Sequence, residues 1–138
     1  MTLVVDASVA LKWFVDEDGS EQAAAVLARS ELLLAPDLII AEVCNATWKA
    51  VRAGTMLPEQ QDHAASRLAV AFDELVPMAS LAHRAVAISR LLDHSAYDCF
   101  YLALAEQRQT SLVTDQRLLW RVTGTEWQTR VTDLRGPE

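Results

Sequence analysis

The chain has 138 residues, with 12 Lys+Arg against 19 Asp+Glu and a formal net charge of −7. That length suits one domain spanning residues 1–138, with a core large enough to dispense with disulfides or a structural metal. With 51% apolar residues and only 4 Gly and 4 Pro, the composition excludes disordered, collagen-like and low-complexity classes.

No uncharged run approaches the ~18–20 apolar residues of a membrane span. The start, Met1-Thr2-Leu3-Val4-Val5-Asp6, lacks the basic and apolar regions of a signal peptide. The expectation is a soluble, cytoplasmic chain without a membrane partner.

Leu3-Val4-Val5 is a short apolar run that predicts a buried strand, ended by Asp6. Ser8 is placed to cap a short helix through Val15, and Ser20 precedes an Ala-rich helix to Arg29. Leu32-Leu33-Leu34-Ala35 predicts a second strand stopped by Pro36. Asp37 is placed to cap a helix over Leu38–Arg52, which Gly54 closes.

Pro58 opens a further helix whose apolar face, Ala64, Leu68, Ala71, Phe72 and Leu75, carries it towards residue 75. Val76-Pro77-Met78 fits only an edge strand or a strand end, because proline cannot donate to a ladder. Two helices are predicted over Leu81–Asp93 and Ala96–Gln109, then a strand over Ser111–Thr114. A helix over Gln116–Val122 and a last strand over Thr129–Thr132 complete the chain. Short apolar strands alternating with amphipathic helices predict an α/β fold, with a central parallel sheet of four to five short strands and helices on both faces.

Four acids stand in places unusual for solvated charge. Asp6 and Asp115 end strands, and ligands of open α/β sheets gather beyond the carboxyl ends of the strands. Glu42 lies within Leu38-Ile39-Ile40-Ala41-Glu42-Val43-Cys44, and Asp98 between Tyr97 and Cys99-Phe100-Tyr101-Leu102. Each also has a plain structural use: a strand stop for Asp6, a helix cap for Asp115, a capping box with Ser95 for Asp98, a pair with Lys49 for Glu42. Brought together, the four would repel unless a cation sat between them. A hard divalent ion prefers such oxygens and leaves positions for phosphate, so the set is consistent with metal-assisted phosphodiester hydrolysis.

Other chemistries find less support. Cys44 and Cys99 form no C-x-x-C pair and read as small apolar thiols. His63, His83 and His94 read as surface or capping residues, and there is no Gly-rich phosphate loop. An acidic phosphotransfer domain would want a lysine near the late strands, and lysine occurs only at positions 12 and 49.

The segments Val4-Val5-Asp6-Ala7-Ser8, Ile40-Ala41-Glu42-Val43, Tyr97-Asp98-Cys99-Phe100-Tyr101-Leu102-Ala103-Leu104-Ala105 and Leu112-Val113-Thr114-Asp115 resemble the PIN-domain ribonucleases. More narrowly they resemble the VapC toxins of VapBC toxin–antitoxin pairs, in order and over almost the whole chain. One departure is local: the family usually has a residue between the threonine and aspartate of its fourth motif, whereas Thr114 and Asp115 are adjacent.

The resemblance implies a PIN fold with Asp6, Glu42, Asp98 and Asp115 around Mg²⁺ or Mn²⁺. Ser8 and Thr114 would orient carboxylates, with Asn45 on the Glu42 face of its helix. It implies endonucleolytic cleavage of RNA, with Asp98 or Glu42 accepting a proton from water. Arg117, Arg121, Lys12 and Lys49 are the cations placed to meet RNA phosphates, and the four tryptophans are possible base platforms or packing residues. It also implies a homodimer, a VapB-type antitoxin partner, and contact with DNA only through that antitoxin. The different-class alternative is a catalytically weak PIN-like binding module, favoured only by the missing residue before Asp115.

Overall fold

A computed structural model describes the chain except Ser30, Gln116, Pro137 and Glu138, and except the side chain of Arg117. Strand β1 (Thr2–Val5) leads into α1 (Ala7–Leu11) and α2 (Ser20–Leu27). Then come β2 (Leu32–Pro36), α3 (Leu38–Arg52), α4 (Pro58–Arg67) and β3 (Glu74–Val76). The second half holds α5 (Ala82–Leu92), α6 (Ala96–Gln107), β4 (Ser111–Thr114), α7 (Arg117–Val122) and β5 (Val131–Asp133).

The five strands pair in parallel in the order β3-β2-β1-β4-β5. The chain moves outward from β1 to β3, then returns to the other side of β1 for β4 and β5. Right-handed crossovers therefore put the helices of the two halves on opposite faces. The strands read as continuous apolar runs because both faces are covered: Val4, Val5, Leu34, Leu112 and Val113 are all buried. Helix α6 packs against β1, β2 and β4, and every residue from Tyr101 to Ala105 in it is buried.

Several boundaries differ from the sequence expectation, each for a local reason. Ser8 lies inside α1, whose N-cap is Asp6. Gly19, at φ +94°, caps α2 because its left-handed backbone turns the chain there. Helix α4 stops at Arg67 and a 3₁₀ turn over Ala69–Ala71 follows, so Leu68 and Phe72 reach the core through the turn rather than along one helix. Asp37 occupies its cap position without a side-chain cap bond. Its Oδ1 instead accepts from the Met78 amide at 2.9 Å. The predicted helix start at Gln116 lies outside the described residues. No helix among the described residues is long and apolar enough to cross a membrane.

The short edge strand β3 is pinned by side-chain carboxylates as well as by its ladder. Asp73 Oδ2 accepts from the buried Leu33 amide at 2.8 Å, while the Asp73 amide donates to Leu33 O at 2.9 Å. Replacing Asp73 with Ala leaves a buried N–H unpaired and is expected to lower unfolding free energy by about 1–3 kcal/mol in urea denaturation. Asp73→Asn, which keeps an acceptor oxygen, is expected to recover most of that loss.

Candidate active site

Strands β1 and β4 lie side by side where the strand order reverses, the place where open α/β sheets form a crevice. Their register pairs Val5 with Val113, and the Asp6 amide donates to Val113 O at 3.1 Å. The next residues, Asp6 and Thr114, therefore emerge together at the carboxyl edge. Thr114 Oγ1 donates to Asp6 Oδ2 at 2.7 Å, and Ser8 Oγ donates to the same oxygen at 2.7 Å from the first turn of α1. Asp6 is only 7% exposed. Burial raises its pKa most and the nearby Asp98 charge adds to the rise, against the opposing bonds from Thr114, Ser8 and the Ala7 amide.

Glu42 enters from the second turn of α3. The hydroxyl of Tyr101, a fully buried residue of α6, donates to its Oε1 at 2.5 Å. Burial pushes Glu42 from 4.5 up to about 7; the Tyr101 bond pulls it down, and the charges of Asp6 and Asp98 push it further up. Asp98 lies in the first turn of α6. Its Oδ2 shares a 2.5 Å hydrogen bond with His94 Nε2, four residues earlier across the start of the helix.

Asp115 is held differently. Arg135 Nε and Nη2 donate to its two oxygens at 3.0 and 3.2 Å, and Lys12 Nζ lies 3.3 Å from Oδ2. Its pKa is lowered, first by Arg135 and then by Lys12. The same cations reach outward, Arg135 to Asp18 at 2.6 Å and Lys12 to Glu17 at 3.2 Å. The segment around residue 18 approaches this network closely enough that a Cβ on Gly19 would stand 3.2 Å from both Arg135 Nη2 and the Lys12 stem.

A cleft of about 180 Å³ collects Asp6, Ser8, Glu42, Asp98, Thr114 and Asp115. Asp115 reaches it despite following Thr114 directly. Asn45 and Lys49 line a second, adjoining groove that shares Ala7, Ser8 and Glu42 with the cleft. Lys12 departs from the expectation of a cation facing nucleic acid: it is 9% exposed and its ammonium is engaged by Asp115 and Glu17. Arg121 is exposed on α7 and lines neither cavity, and the Arg117 side chain lies outside the described residues. Glu42 bonds Tyr101 rather than Lys49, and Asp98 bonds His94 rather than the Ser95 backbone.

Three residues of this site went unrecognised in the sequence. His94 carried a usable signal, its i,i+4 spacing to Asp98. Tyr101 shares the Asp98 helix face at i+3. Arg135 had none, because its contact with Asp115 depends on β5 lying beside β4.

The donor set is all hard oxygen, and Asp6, Glu42 and Asp98 face one cleft with their cationic neighbours gathered on Asp115. Such a set suits a divalent ion. Among the described residues no three His, Cys, Asp or Glu side chains stand in a ready-made cage, so the fit is one of chemistry and placement.

Because folded Glu42 holds its proton to about 7 instead of 4.5, the metal-free native state binds more protons than the unfolded chain across that window. Stability from this group is present below the window and is lost as pH rises through it. The melting temperature of Glu42→Gln relative to the parent is therefore expected to rise between pH 4.5 and 7 in metal-free buffer. Tyr101→Phe removes a bond that favours the ionised carboxylate, so NMR titration of the Glu42 side chain is expected to show its pKa moving above the parent value.

The PIN-domain family profile matches residues 3–122. Ribonuclease VapC3 of Pyrobaculum aerophilum is 33% identical over 121 residues, covering 86% of this chain and 92% of that protein. Among solved structures, a Pyrobaculum aerophilum protein is similar with a TM-score of 0.68 and 22% identity, covering 98% of this chain and 85% of that one. A toxin–antitoxin complex from Klebsiella pneumoniae is similar with a TM-score of 0.72 and 17% identity, covering 99% of this chain and 100% of its counterpart. With acids from four separate segments meeting at the switch point of a parallel sheet, and with the profile running from β1 into α7, this chain belongs to the PIN-domain family, in its VapC branch.

Proposed function

We propose that the chain is a divalent-metal-dependent endoribonuclease and the toxin of a type II toxin–antitoxin pair. The observation that carries the reading is the meeting of Asp6, Glu42, Asp98 and Asp115 on one cleft at the carboxyl edge of the sheet. The resemblance to a ribonuclease of 33% identity supports the activity.

Asp6, Glu42 and Asp98 would hold Mg²⁺ or Mn²⁺, with Asp115 at the cleft margin beside its two cations. When bound, such an ion activates water and offsets charge developing on the scissile phosphate. Ser8 and Thr114 hold Oδ2 of Asp6 in place, so that its carboxylate would be available to the cation. His94 does the same for Asp98 through Oδ2, and Tyr101 fixes Glu42 through Oε1. Of the two acids able to accept a proton from water, Glu42 is pushed up to about 7 by burial in the metal-free protein, close to the operating pH that suits a general base.

The partners follow from the same reading: RNA as substrate, a VapB-type antitoxin, a second copy of the chain in a homodimer, and DNA through the antitoxin alone. Support for the antitoxin comes from the structural neighbour, itself a toxin–antitoxin complex. Residues 1–138 would form one PIN domain acting in the cytoplasm.

One observation favours the rival reading of a catalytically weak binding module, namely that Asp115 is already neutralised by Arg135 and Lys12. Purified protein incubated with total RNA separates the two. The expected result is cleavage supported by Mg²⁺ or Mn²⁺, abolished by EDTA, and reduced about 100-fold or more in Asp6→Asn and Asp98→Asn variants that retain the parent circular dichroism. Metal-independent cleavage, or undiminished cleavage by both variants, would overturn the nuclease reading.

A further inference from the structure

A groove of about 560 Å³ runs between α1 and α3 and opens into the acidic cleft, sharing Ala7, Ser8 and Glu42 with it. Along α3 its wall changes sign in order. Glu42 stands at the cleft, Asn45 one turn on, and Lys49 another turn on, each on the same helix face. Glu42 and Lys49 are separated by roughly 10 Å of helix axis at ~1.5 Å rise per residue.

Lys49 is exposed and makes no ion pair among the described residues. It also borders a shallow depression with Arg52, whose guanidinium lies 5.0 Å from the Trp48 ring centroid. Across the groove stands Tyr97, the residue immediately before Asp98. It is 62% exposed, although it sits one turn before the buried run Tyr101–Ala105 of α6.

Resting on the ribonuclease reading, we propose that this groove is the track by which single-stranded RNA leaves the cleft, with a base stacked on Tyr97 and a backbone phosphate on Lys49. A strand whose scissile phosphate lies among the carboxylates must continue through an opening, and this groove adjoins the cleft directly. Its charge fits such a strand: acid where a cation would carry the reacting phosphate, and a free ammonium where the next phosphates pass. The Tyr97 ring supplies a stacking surface that accepts any base. The Asn45 amide, between Glu42 and Lys49, offers a donor and an acceptor to a base edge or a 2′-hydroxyl. Ala41 and Ala46 line the groove with little more than a methyl group each, which leaves room for a nucleotide against the helix.

The test is binding of a fluorescein-labelled pool of randomised single-stranded RNA, followed by anisotropy in EDTA at several salt concentrations. Tyr97→Ala is expected to weaken binding at least about fivefold, while Tyr97→Phe, which keeps the ring, binds as the parent does. Lys49→Gln is expected to flatten the dependence of log K on log salt by about 0.7, the contribution of one phosphate contact on a single strand. Arg67→Gln, an exposed cation on α4 away from the groove, is expected to leave that slope unchanged.

If Tyr97→Ala and Lys49→Gln bind RNA as the parent does, the groove is not an RNA track. If they lose only the binding of a co-purifying protein partner, it belongs to a protein; either result overturns the proposal. The two readings fail separately. A parent that cleaves RNA while its groove variants bind normally sinks the track alone. A parent that binds RNA through Tyr97 and Lys49 but never cleaves it sinks the nuclease alone.

Discussion

The site depends on a carboxylate that the fold buries at the end of its central strand. Asp6 follows Val5 out of β1 at the one position where the neighbouring strand, β4, belongs to the other half of the chain. Thr114 and Ser8 lock one of its oxygens, and the main chain locks its backbone to Val113. Desolvation makes the ionised form unfavourable, and the hydroxyl bonds do not fully reverse that. Glu42 is in the same condition for the same first reason. Two acids whose ionised forms burial disfavours hold electrostatic stress that a divalent cation would relieve. Metal affinity and apo stability are then linked through the same protons.

The second tier of the site keeps these carboxylates apart in role. Tyr101, His94 and the Arg135–Lys12 pair each engage a different acid, the first two from α6 and the segment just ahead of it and the pair from the two ends of the chain. The neutral partners, Tyr101 and Ser8 with Thr114, restrain Glu42 and Asp6 without cancelling their charge. Asp115 is the acid met by a lysine and an arginine. A carboxylate neutralised by a guanidinium fork and an ammonium has less to offer a metal than three that are not, so the four acids divide into a set of three facing the cleft and one that ties the C-terminal segment and the turn around Gly19 to its margin.

Much of this order was legible in the sequence because it rests on local pattern. The strands are apolar runs that a buried parallel sheet requires, and the acids at their ends announce themselves by interrupting such runs. What stayed hidden needed the third dimension. Ser8 looks like a helix cap until Asp6, two residues earlier, takes that position and draws the hydroxyl to its carboxylate. Ser95 and Asp98 look like a capping box, but His94 competes for Asp98 and wins at 2.5 Å. Lys12 looks like a cation placed to meet RNA phosphates, yet the end of β4 brings the Asp115 carboxylate against it. Arg135 stands 20 residues from Asp115 in the chain, and only the pairing of β5 with β4 makes them neighbours.

The net charge of −7 takes on a different meaning once the cations are located. Arg84 and Arg108 are paired across the surface with Glu106 and Glu74, Arg29 with Glu31, Arg135 with Asp115 and Asp18, and Lys12 with Asp115 and Glu17. Arg130 donates to the carbonyls of Ala105 and Thr110. These cations hold the molecule together and present little free charge to solvent. Lys49 and Arg52 have no carboxylate partner among the described residues; Lys49 lies at the far end of the groove that begins at Glu42, and Arg52 lines the shallow depression beside it. An acidic protein that meets a polyanion this way relies on a few positioned contacts rather than on its overall field. On the proposed ribonuclease reading, affinity for RNA would fall with salt as shallowly as a small number of phosphate contacts dictates, with stacking and a bound cation supplying the rest.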